Sequence, residues 1–472
     1  MKQEAFIHVF CTPTGHYLYD VNSDDILKIP YDVFSFLRAQ DDVKPTEGVC
    51  QYLDMLKAKG FLKSKHVEKS EHGMTEIMPY ALNNKLSQLV LQITQSCNLR
   101  CNYCAYSGEY KNRVHSQKQM SFETAQKSID FLIRHSKDSK SLSIGFYGGE
   151  PFLRFDFIKK CVDYADSKAE GRVIRYNTTT NGTLLDLSTI AYCVDHDFLI
   201  TFSLDGPDYI HNKNRCFAGS RKGSYETLIE TVTTIKRMYP DYYKTNVSFN
   251  MVLDPTNSYS CIEEFVISNE LFDSIMYSAH TIEPSYRAEP IPYIEDFYIE
   301  REYELFKIFL KKTGRLPSMS TSKLLESYYD VLRTLRAGKQ STTEVELPHK
   351  AHRGGPCIPG VARLFVNAEG NLYPCERVSE ESKFTIMGHI DSGIDVEKAL
   401  RILNVEKLSS ERCTKCWAYR YCTACIAKCD DIDTLSSPSE RGMCDDIRYD
   451  IEETFKDYCL LRELHCDFEY GS

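Results

Sequence analysis

The sequence predicts an α/β protein: a central parallel sheet, preceded by a small unit of strands and helices and followed by a cysteine-rich region. Between residues 86 and 340, short apolar runs alternate regularly with amphipathic helical patterns, which is typical of parallel β/α units. Before that region, three short apolar runs precede two helical patterns. After it, eight of the 19 cysteines lie between Cys357 and Cys444.

Composition and charge exclude several classes of protein. Hydrophobic residues make up 42% and charged residues 26% of the 472, which is ordinary globular usage and excludes disorder or a fibrous repeat. The apolar runs are far shorter than the roughly 20 residues of a membrane span. The net charge of −10 argues against nucleic acid as the main partner. With no secretory signal at the N-terminus, we expect a cytoplasmic protein without a membrane partner.

Residues 1–68 are expected to form a winged-helix-like module. Strands are predicted at 6–10, 17–19 and 26–29, and helical spacing follows from Val33 and from Val49. The alternative interpretation is a packing extension with no binding role. Residues 69–85 are polar with few periodic apolar positions, and are interpreted as a linker.

The region 86–340 is expected to hold six parallel strands in a sheet that is either flat or curled into a partial (β/α)6 barrel. In such folds the chemistry lies at the carboxyl ends of the strands. Two long helices are expected at 292–312 and 320–336. The predicted strands are 89–94, 142–147, 173–179, 198–204, 247–253 and 274–278, and the helices between them include 122–135, 156–166, 186–193 and 225–238.

A cysteine motif follows the first of these strands directly. Cys97, Cys101 and Cys104 have the spacing C-x3-C-x2-C. Three thiolates on one loop can hold three irons of a cubane and leave the fourth iron without a protein ligand, whereas closed iron–sulfur sites use four cysteines. The alternatives are a zinc site, for which the loop offers no adjacent histidine, or a group of buried cysteines.

With Tyr103 before its third cysteine, this motif resembles that of the radical S-adenosylmethionine (SAM) enzymes. The resemblance implies that SAM chelates the open iron of a [4Fe–4S] cluster and is cleaved to a 5′-deoxyadenosyl radical. The task of the protein is then to bind and orient SAM and to shield the radical. It also implies a partial radical SAM barrel and an electron donor such as flavodoxin or ferredoxin.

Further segments match the same family in order along the chain. Glu150 follows two glycines, as in the family's GGEP motif, where the carboxylate meets the SAM amino group. Arg215 resembles an arginine that pairs with the SAM carboxylate, a task suited to a planar cation. An isolated Asn-Gly or Asp-Gly pair is usually just a turn, and the alternatives for the glycine motif and for Arg215 are a simple turn and a surface charge. The resemblance assigns SAM binding to Tyr103, Gly148, Gly149, Glu150, Asn181, Ser203, Asp205 and Arg215.

Residues 341–472 resemble the SPASM domain, an extension of radical SAM enzymes that carries two auxiliary [4Fe–4S] clusters. Here only two residues separate Cys422 from Cys425, where the family usually has three, and an extra Cys429 follows. Cys429 is therefore either a substitute or a fourth ligand of the nearer cluster; without it, an open iron could bind a substrate thiolate. A zinc ribbon is the alternative. By order, the distal cluster takes Cys413, Cys416, Cys422 and Cys444, and the nearer cluster takes Cys357, Cys375 and Cys425.

The N-terminal module resembles a RiPP recognition element, which captures the leader of a ribosomally made precursor peptide as an added strand. The edge is expected within residues 17–29. The leading hypothesis is therefore a ranthipeptide or sactipeptide maturase that forms thioether bonds in a Cys-rich peptide. Carbon–carbon crosslinking or epimerisation could use a similar scaffold. The alternatives are a sulfatase-type maturase with Glu376 as catalytic base, and a non-catalytic metal-binding scaffold.

Overall fold

A computed structural model describes residues 5–39, 44–107, 109–273, 275–341, 346–354, 357–466 and 468. Within these ranges, every helix is too short or too polar to cross a lipid bilayer. The backbone of residues 336–341 is described as part of a helix, without their side chains.

The N-terminal unit is a three-stranded antiparallel sheet followed by two helices, as the sequence predicts. The strand order is β1-β2-β3, so β2 is central and both of its edges are paired. The expectation of an open edge across residues 17–29 is therefore wrong for β2; only β3 can present one. The elements are β1 (Ile7–Cys11), β2 (His16–Asp20), β3 (Asp25–Lys28), α1 (Tyr31–Arg38) and α2 (Glu47–Ala58).

The small sheet packs on both faces. Leu18 turns to one side and contacts buried residues of both helices, Val33 and Leu53, in a small separate core. Tyr19 faces the other way and joins the main core, where its ring lies 4.8 Å from that of Phe455 near the C-terminus. This alternation fixes the unit against the rest of the protein.

The segment predicted as a linker is structured. It contains β4 (Lys69–Ser70) and α3 (Met78–Asn84). Met78 and Leu82 are buried, and β4 pairs in parallel with a short strand near residue 350. Because one short face of α3 carries its apolar residues, the segment reads as polar although it is packed.

The central sheet contains all six predicted strands, with neighbours parallel and in chain order. This sequential order, with a helical crossover between each pair, matches the wall of a barrel rather than a doubly wound sheet. Ser274, where the sixth strand is expected to begin, lies outside the described residues. The strands of this region are β5 (Gln88–Thr94), β6 (Leu99–Cys101), β7 (Ser141–Gly148), β8 (Val173–Thr180), β9 (Leu199–Ser203), β10 (Arg215–Phe217), β11 (Val247–Leu253) and β12 (Met276–Thr281).

The predicted helices of this region are also present. Their starts follow local rules: Ser121 accepts from the backbone N–H of Thr124, and Asp186 from that of Thr189, as N-caps. The two long helices begin at Glu295 and Glu326, a few residues later than expected. The helices are α4 (Phe122–Arg134), α5 (Phe155–Lys168), α6 (Leu187–Asp195), α7 (Asp208–Asn214), α8 (Tyr225–Met238), α9 (Pro240–Asn246), α10 (Tyr259–Ser268), α11 (Glu295–Lys312) and α12 (Glu326–Ser341).

The cysteine-rich region continues the same sheet. Its second strand pairs in parallel with β5, and in the described residues the sheet reaches ten strands. The boundary drawn at residue 341 is therefore not a break in the sheet. The elements are β13 (Lys350–Ala351), β14 (Arg363–Val366), β15 (Asn371–Tyr373), β16 (Gly388–His389), β17 (Gly393–Ile394), α13 (Val396–Leu403), α14 (Ser410–Cys413), α15 (Ile426–Cys429) and α16 (Cys444–Glu463).

Candidate active site and cysteine clusters

The three cysteines of the first motif lie on one loop between β5 and α4. Desolvation, with the neighbouring thiols adding to it, raises the pKa of Cys97 and Cys101 to about 12. The backbone N–H of Leu99 donates to Cys97 Sγ at 3.3 Å, and that of Tyr106 to Cys104 Sγ at 3.5 Å. The loop therefore supplies three neighbouring thiols, and two of them accept hydrogen bonds from backbone N–H groups.

The two glycines after β7 allow the backbone to approach this loop closely. A Cβ at Gly148 would lie 1.9 Å from Thr94 O, and one at Gly149 would lie 2.1 Å from Ser96 O. The backbone N–H of Gly149 donates to Thr94 O at 2.9 Å. Side chains at these positions would displace the loop that carries the cysteines.

Glu150 joins the ends of two neighbouring strands. Its Oε1 accepts from Thr180 Oγ1 at 2.8 Å and from the N–H of Phe152 at 3.1 Å, and its Oε2 accepts from the N–H of Asn181 at 2.9 Å. Burial raises the pKa of Glu150 to about 7, although these bonds oppose the shift. A carboxylate oxygen can accept two hydrogen bonds, so Oε2 has capacity for a further donor.

Asn181 connects the carboxyl end of β8 to the cysteine loop. Its Nδ2 donates to Asn98 Oδ1 at 2.8 Å and lies 3.9 Å from Cys97 Sγ. Ser203, at the end of β9, is also buried. The sequence motifs identified Asn181 and Ser203, whereas Asn98 was missed because it carries no motif of its own.

Arg215 and Asp205 form a buried pair. Arg215 Nε donates to Asp205 Oδ2 at 2.9 Å, and both side chains are under a tenth exposed. Tyr103 OH donates to the same Oδ2, and the guanidinium lies 5.4 Å from the centroid of the Tyr103 ring. Pairing of β6 with β10 places Arg215 opposite Cys101. Three of the predicted SAM-binding residues thus meet beside the cysteine loop.

His211 supports this pair and was not assigned a role from the sequence. Its Nδ1 accepts from the N–H of Asp205 at 3.4 Å, and its Nε2 is 3.0 Å from Ser224 Oγ. Ser224 in turn donates to Arg215 O at 3.0 Å. Burial lowers the pKa of His211 to about 4, so the ring is neutral. Its signal in the sequence was its place in the same motif as Arg215.

A cavity of about 950 Å³ opens beside the cysteine loop. Its walls include Tyr103 and Cys104 from that loop and the carboxyl ends of β11 and β12. The cationic side chains Arg113, Arg301, Arg377 and Lys428 also line it; none of them was predicted as a site residue.

Glu376 lies on the wall of the same cavity. β15 runs antiparallel to β14, so the chain returns to the level of Arg363, which pairs with Gln88 at the start of β5. Arg363 Nη1 donates to Glu376 Oε1 at 2.7 Å, while the buried Oε2 has no hydrogen-bond partner among the described residues. Glu376 is thus held at the end of β5 opposite to the one that carries Cys97.

Four C-terminal cysteines line one further cavity, of about 100 Å³. They are the four that order along the chain assigns to a distal cluster. The buried side chain of Arg353 also lines this cavity, as does Arg448. The four are Cys413, Cys416, Cys422 and Cys444.

A second group contains Cys375, Cys425 and Cys429. Burial, Glu376 and then Cys425 raise the pKa of Cys375 to about 11, and burial, with a smaller contribution from Cys425, raises that of Cys429 to about 12. Cys425 is the N-cap of α15 and Cys429 its last residue, so the two are four positions apart on one helical turn. Cys357, by contrast, is exposed.

Comparison with known proteins identifies the superfamily to which this chain belongs. The model of the radical SAM superfamily matches residues 91–267, which run from β5 into α10. An uncharacterised protein of Methanocaldococcus jannaschii is 30% identical over 233 residues, which are 49% of this chain and 73% of that protein. The chain belongs to the radical SAM superfamily.

Other radical SAM proteins match over greater lengths of the chain. The cysteine-type anaerobic sulfatase-maturating enzyme of Clostridium perfringens is 23% identical over 375 residues, 73% of this chain and 90% of that enzyme. Structures of anSMEcpe with bound AdoMet, without and with the Cp18Cys peptide, give TM-scores of 0.58 and 0.57 at 22% identity. They cover 80% of this chain and 98% of theirs, and show a shared fold. The chain is a radical SAM enzyme.

The residues of this radical SAM enzyme fit the [4Fe–4S] cluster and SAM that its superfamily implies. Three desolvated thiols lie on one loop, and two of them accept N–H donors at sulfur, the hydrogen bonding that tunes such clusters. In the described part of the chain, no three His, Cys, Asp or Glu side chains are arranged to hold a single metal ion. Cys97, Cys101 and Cys104 would hold the cluster, and Asp205 with Arg215 lies beside it.

Proposed function

We propose that this enzyme installs thioether crosslinks, from Cys sulfur to carbon, in a ribosomally synthesised Cys-rich precursor peptide. The observation that carries the proposal is the outer edge of β3, in a unit of three strands and two helices that is packed against the rest of the enzyme. Such an edge supports capture of a leader peptide as a fourth strand.

The register of the small sheet identifies the groups at that edge. The N–H of Ile29 donates to His16 O at 2.8 Å. In an antiparallel ladder, alternate residues face the partner strand, so the backbone groups of Ile26 and Lys28 point away from β2. Ile26 therefore offers a backbone donor and an acceptor to an incoming strand, and Lys28 offers its N–H. The carbonyl of Lys28 already accepts from Tyr52 OH at 3.4 Å, a weak bond that the incoming strand would replace.

The unit is anchored to the cysteine-rich region. The ring of His8 stacks on Trp417 with centroids 3.8 Å apart, and its Nε2 is 2.8 Å from Glu452 Oε2. Thr12 Oγ1 donates to Glu463 Oε1 at 3.2 Å. These contacts support a leader held in a constant relation to the cavity.

Within the cavity, the chain's own residues bind and orient SAM and the peptide, and they shield the reacting carbon. When bound, the cluster and SAM supply the radical that removes a hydrogen atom from the peptide. Arg215, held by Asp205, orients the carboxylate of SAM. Glu376, whose Oε2 has no hydrogen-bond partner in the described residues, accepts the proton of the substrate thiol. The electron left when the thiolate sulfur bonds to the carbon radical would pass to an auxiliary cluster. The buried part of the wall, which includes Tyr259, Tyr286 and Leu325, excludes water from that part of the cavity.

The positions of the C-terminal cysteines argue for two auxiliary [4Fe–4S] clusters in this enzyme. The four that line one cavity would hold the distal cluster. Cys375, Cys425 and Cys429 would hold the nearer one, and the exposure of Cys357 leaves the fourth position to it or to a substrate thiolate.

A second candidate function is oxidation of a Cys or Ser residue to formylglycine. Glu376 serves this candidate as well as the first, because formylglycine formation also needs a base that takes a proton from the reacting residue. The similarity to sulfatase-maturating enzymes favours it. The β3 edge favours the first candidate.

One experiment distinguishes the two candidates. The anaerobically reconstituted enzyme is incubated with SAM, a reductant, and either a Cys-rich precursor peptide encoded beside its gene or a sulfatase-type peptide. Thioether formation removes two hydrogens per link, keeps all sulfur and blocks alkylation of the linked thiol. Formylglycine formation from Cys removes sulfur and yields an aldehyde. Modification of neither peptide while SAM is cleaved would remove both candidates.

A further inference from the structure

Arg353 lies between the two groups of C-terminal cysteines. It is 2% exposed and is the largest of the fully buried side chains in the described residues. Its Nη1 donates to Cys413 Sγ at 3.1 Å, and its Nη2 to Cys429 Sγ at 4.0 Å. One planar cation thus reaches a sulfur of each group.

The remaining partners of this guanidinium carry no charge. Its Nε donates to Ala424 O at 3.3 Å. The nearby carboxylate of Glu406 accepts from the backbone N–H of Arg353 and from Ser70 Oγ, and no ion pair joins it to the guanidinium in the described part of the chain. An arginine stays protonated, and a buried charge is costly unless paired. The charge that compensates Arg353 must therefore come from sulfur.

We propose that Arg353 is a cation shared by the two auxiliary clusters, and that it raises the reduction potential of both. The inference rests on the proposed function, because it requires a cluster at each cysteine group. N–H donors to cluster sulfurs and nearby positive charge stabilise the reduced state. Because the contact with Cys413 is shorter than that with Cys429, the distal cluster feels Arg353 more strongly.

Arg448 provides a matched control. It lines the distal cavity and lies beside Cys416, but it is partly exposed and no contact joins it to Cys429 or Cys425 in the residues described. Arg448→Gln should therefore lower the potential of one cluster only. Arg353→Gln should lower both, and the distal one more. Arg353→Lys keeps the charge but replaces the two Nη donors with a single ammonium group. Compared with Arg353→Gln, it should restore the potential of the distal cluster only.

The potentials are measured by EPR-monitored redox titration in a Cys97/Cys101/Cys104→Ala background, which removes the signal of the SAM-binding cluster. About eight irons per chain, for two four-iron clusters, are expected in that background. Absence of auxiliary clusters there would refute the proposed cofactor set and this inference with it. With both clusters present, equal potentials before and after Arg353→Gln or Arg353→Lys would overturn this inference alone.

A second measurement leaves Arg353 itself unchanged. Protein labelled with ¹⁵N in the arginine guanidinium is reduced in the same background and studied by pulsed EPR. Nitrogen couplings are expected on the signals of both clusters, and Arg448→Gln should leave the coupling on the nearer cluster intact. If neither or only one cluster shows a coupling that survives Arg448→Gln, Arg353 is not shared. This result decides the question even if the Arg353 variants do not assemble clusters.

Discussion

Arg215 Nε donates to Asp205 Oδ2 at 2.9 Å in a buried pair beside Cys101. The bond uses Nε, and in the described residues no hydrogen bond joins either Nη atom to Asp205. Asp205 also accepts from the N–H of Val252 through Oδ1 at 3.1 Å. The Nη groups of Arg215 therefore keep donors for a second carboxylate.

Arg215→Lys is expected to weaken SAM binding. An ammonium group is a point donor and cannot hold Asp205 and a second carboxylate in one plane. We expect the KM for SAM in 5′-deoxyadenosine formation to rise about tenfold, ~1.4 kcal/mol. Arg134→Lys, on the exposed face of α4, should leave the KM for SAM unchanged. An unchanged KM for SAM in Arg215→Lys would contradict the role given to the planar guanidinium of Arg215.

Gly149→Ala is expected to remove the cluster of the cysteine loop. Its Cβ would lie 2.1 Å from Ser96 O, so the loop before Cys97 must move. Reconstituted protein should lose about four irons per chain, one cubane, together with SAM cleavage. The matched control is Gly73→Ala, where nothing lies within 4 Å of the added Cβ. Full iron content in Gly149→Ala would show that the loop tolerates the displacement.

The stability of the apoprotein should depend on the titration of Glu150. Its pKa is about 7 in the folded chain against an ordinary 4.5. Between these values the folded state binds a proton that the unfolded chain has lost, so stability falls as pH rises from 4.5 to 7 and is level above. The full effect is about 3 kcal/mol at ~1.36 kcal/mol per pKa unit.

Urea denaturation of the apoprotein from about pH 5 to about pH 8 tests this pH dependence. Glu150→Gln should reduce the slope by the share of Glu150, while Asp457, whose pKa burial also raises to about 7, keeps its own share. Glu123→Gln, with an exposed carboxylate on α4, should leave the slope unchanged. A slope in Glu150→Gln equal to that of the wild type would contradict the assignment.

Glu376→Gln is expected to separate SAM cleavage from product formation. The amide keeps the shape of the side chain but cannot accept a proton, and loss of a general base typically costs about 10²-fold or more. Modified peptide, measured by mass spectrometry, should fall by that factor while 5′-deoxyadenosine release persists. Glu369→Gln, more than half exposed, is the control. Equal loss of both products would place Glu376 in SAM binding instead.

Lys28→Pro should weaken leader binding. Proline removes the backbone N–H that faces away from β2, and edge strands tolerate proline at such positions. Fluorescence anisotropy with a labelled leader should show at least a tenfold rise in Kd, ~1.4 kcal/mol. Lys28→Ala loses the same contact with Glu463 but keeps the N–H, so its Kd should stay at the wild-type value. Equal affinity for both variants would exclude this edge.

Much of the fold could be predicted from local patterns. All six central strands and the helices between them are confirmed, since apolar periodicity reports which face of a segment is buried. The helix at Met78–Asn84 was missed because its seven residues hold only three buried positions. Membership of the radical SAM superfamily, read from the spacing of Cys97, Cys101 and Cys104, is shown.

The partners of the site residues could not be predicted in the same way. Gly149 was assigned to the approach of SAM, but in the structure it also makes room for the backbone at Ser96. Glu376 follows a cysteine in the sequence, yet its position depends on the return of β15 along β14. Each of these contacts joins segments that are far apart in the chain.

The sequence by itself determined the superfamily, the parallel sheet and the set of thiols, because strand periodicity and cysteine spacing are properties of short segments. Only the tertiary structure decided that Arg215 is held by Asp205, that Cys429 joins the group of Cys425, and that Arg353 lies between two cysteine groups. The physical reason is that a buried charge takes its partner from whichever segment packing brings to it, and packing is settled by the whole chain.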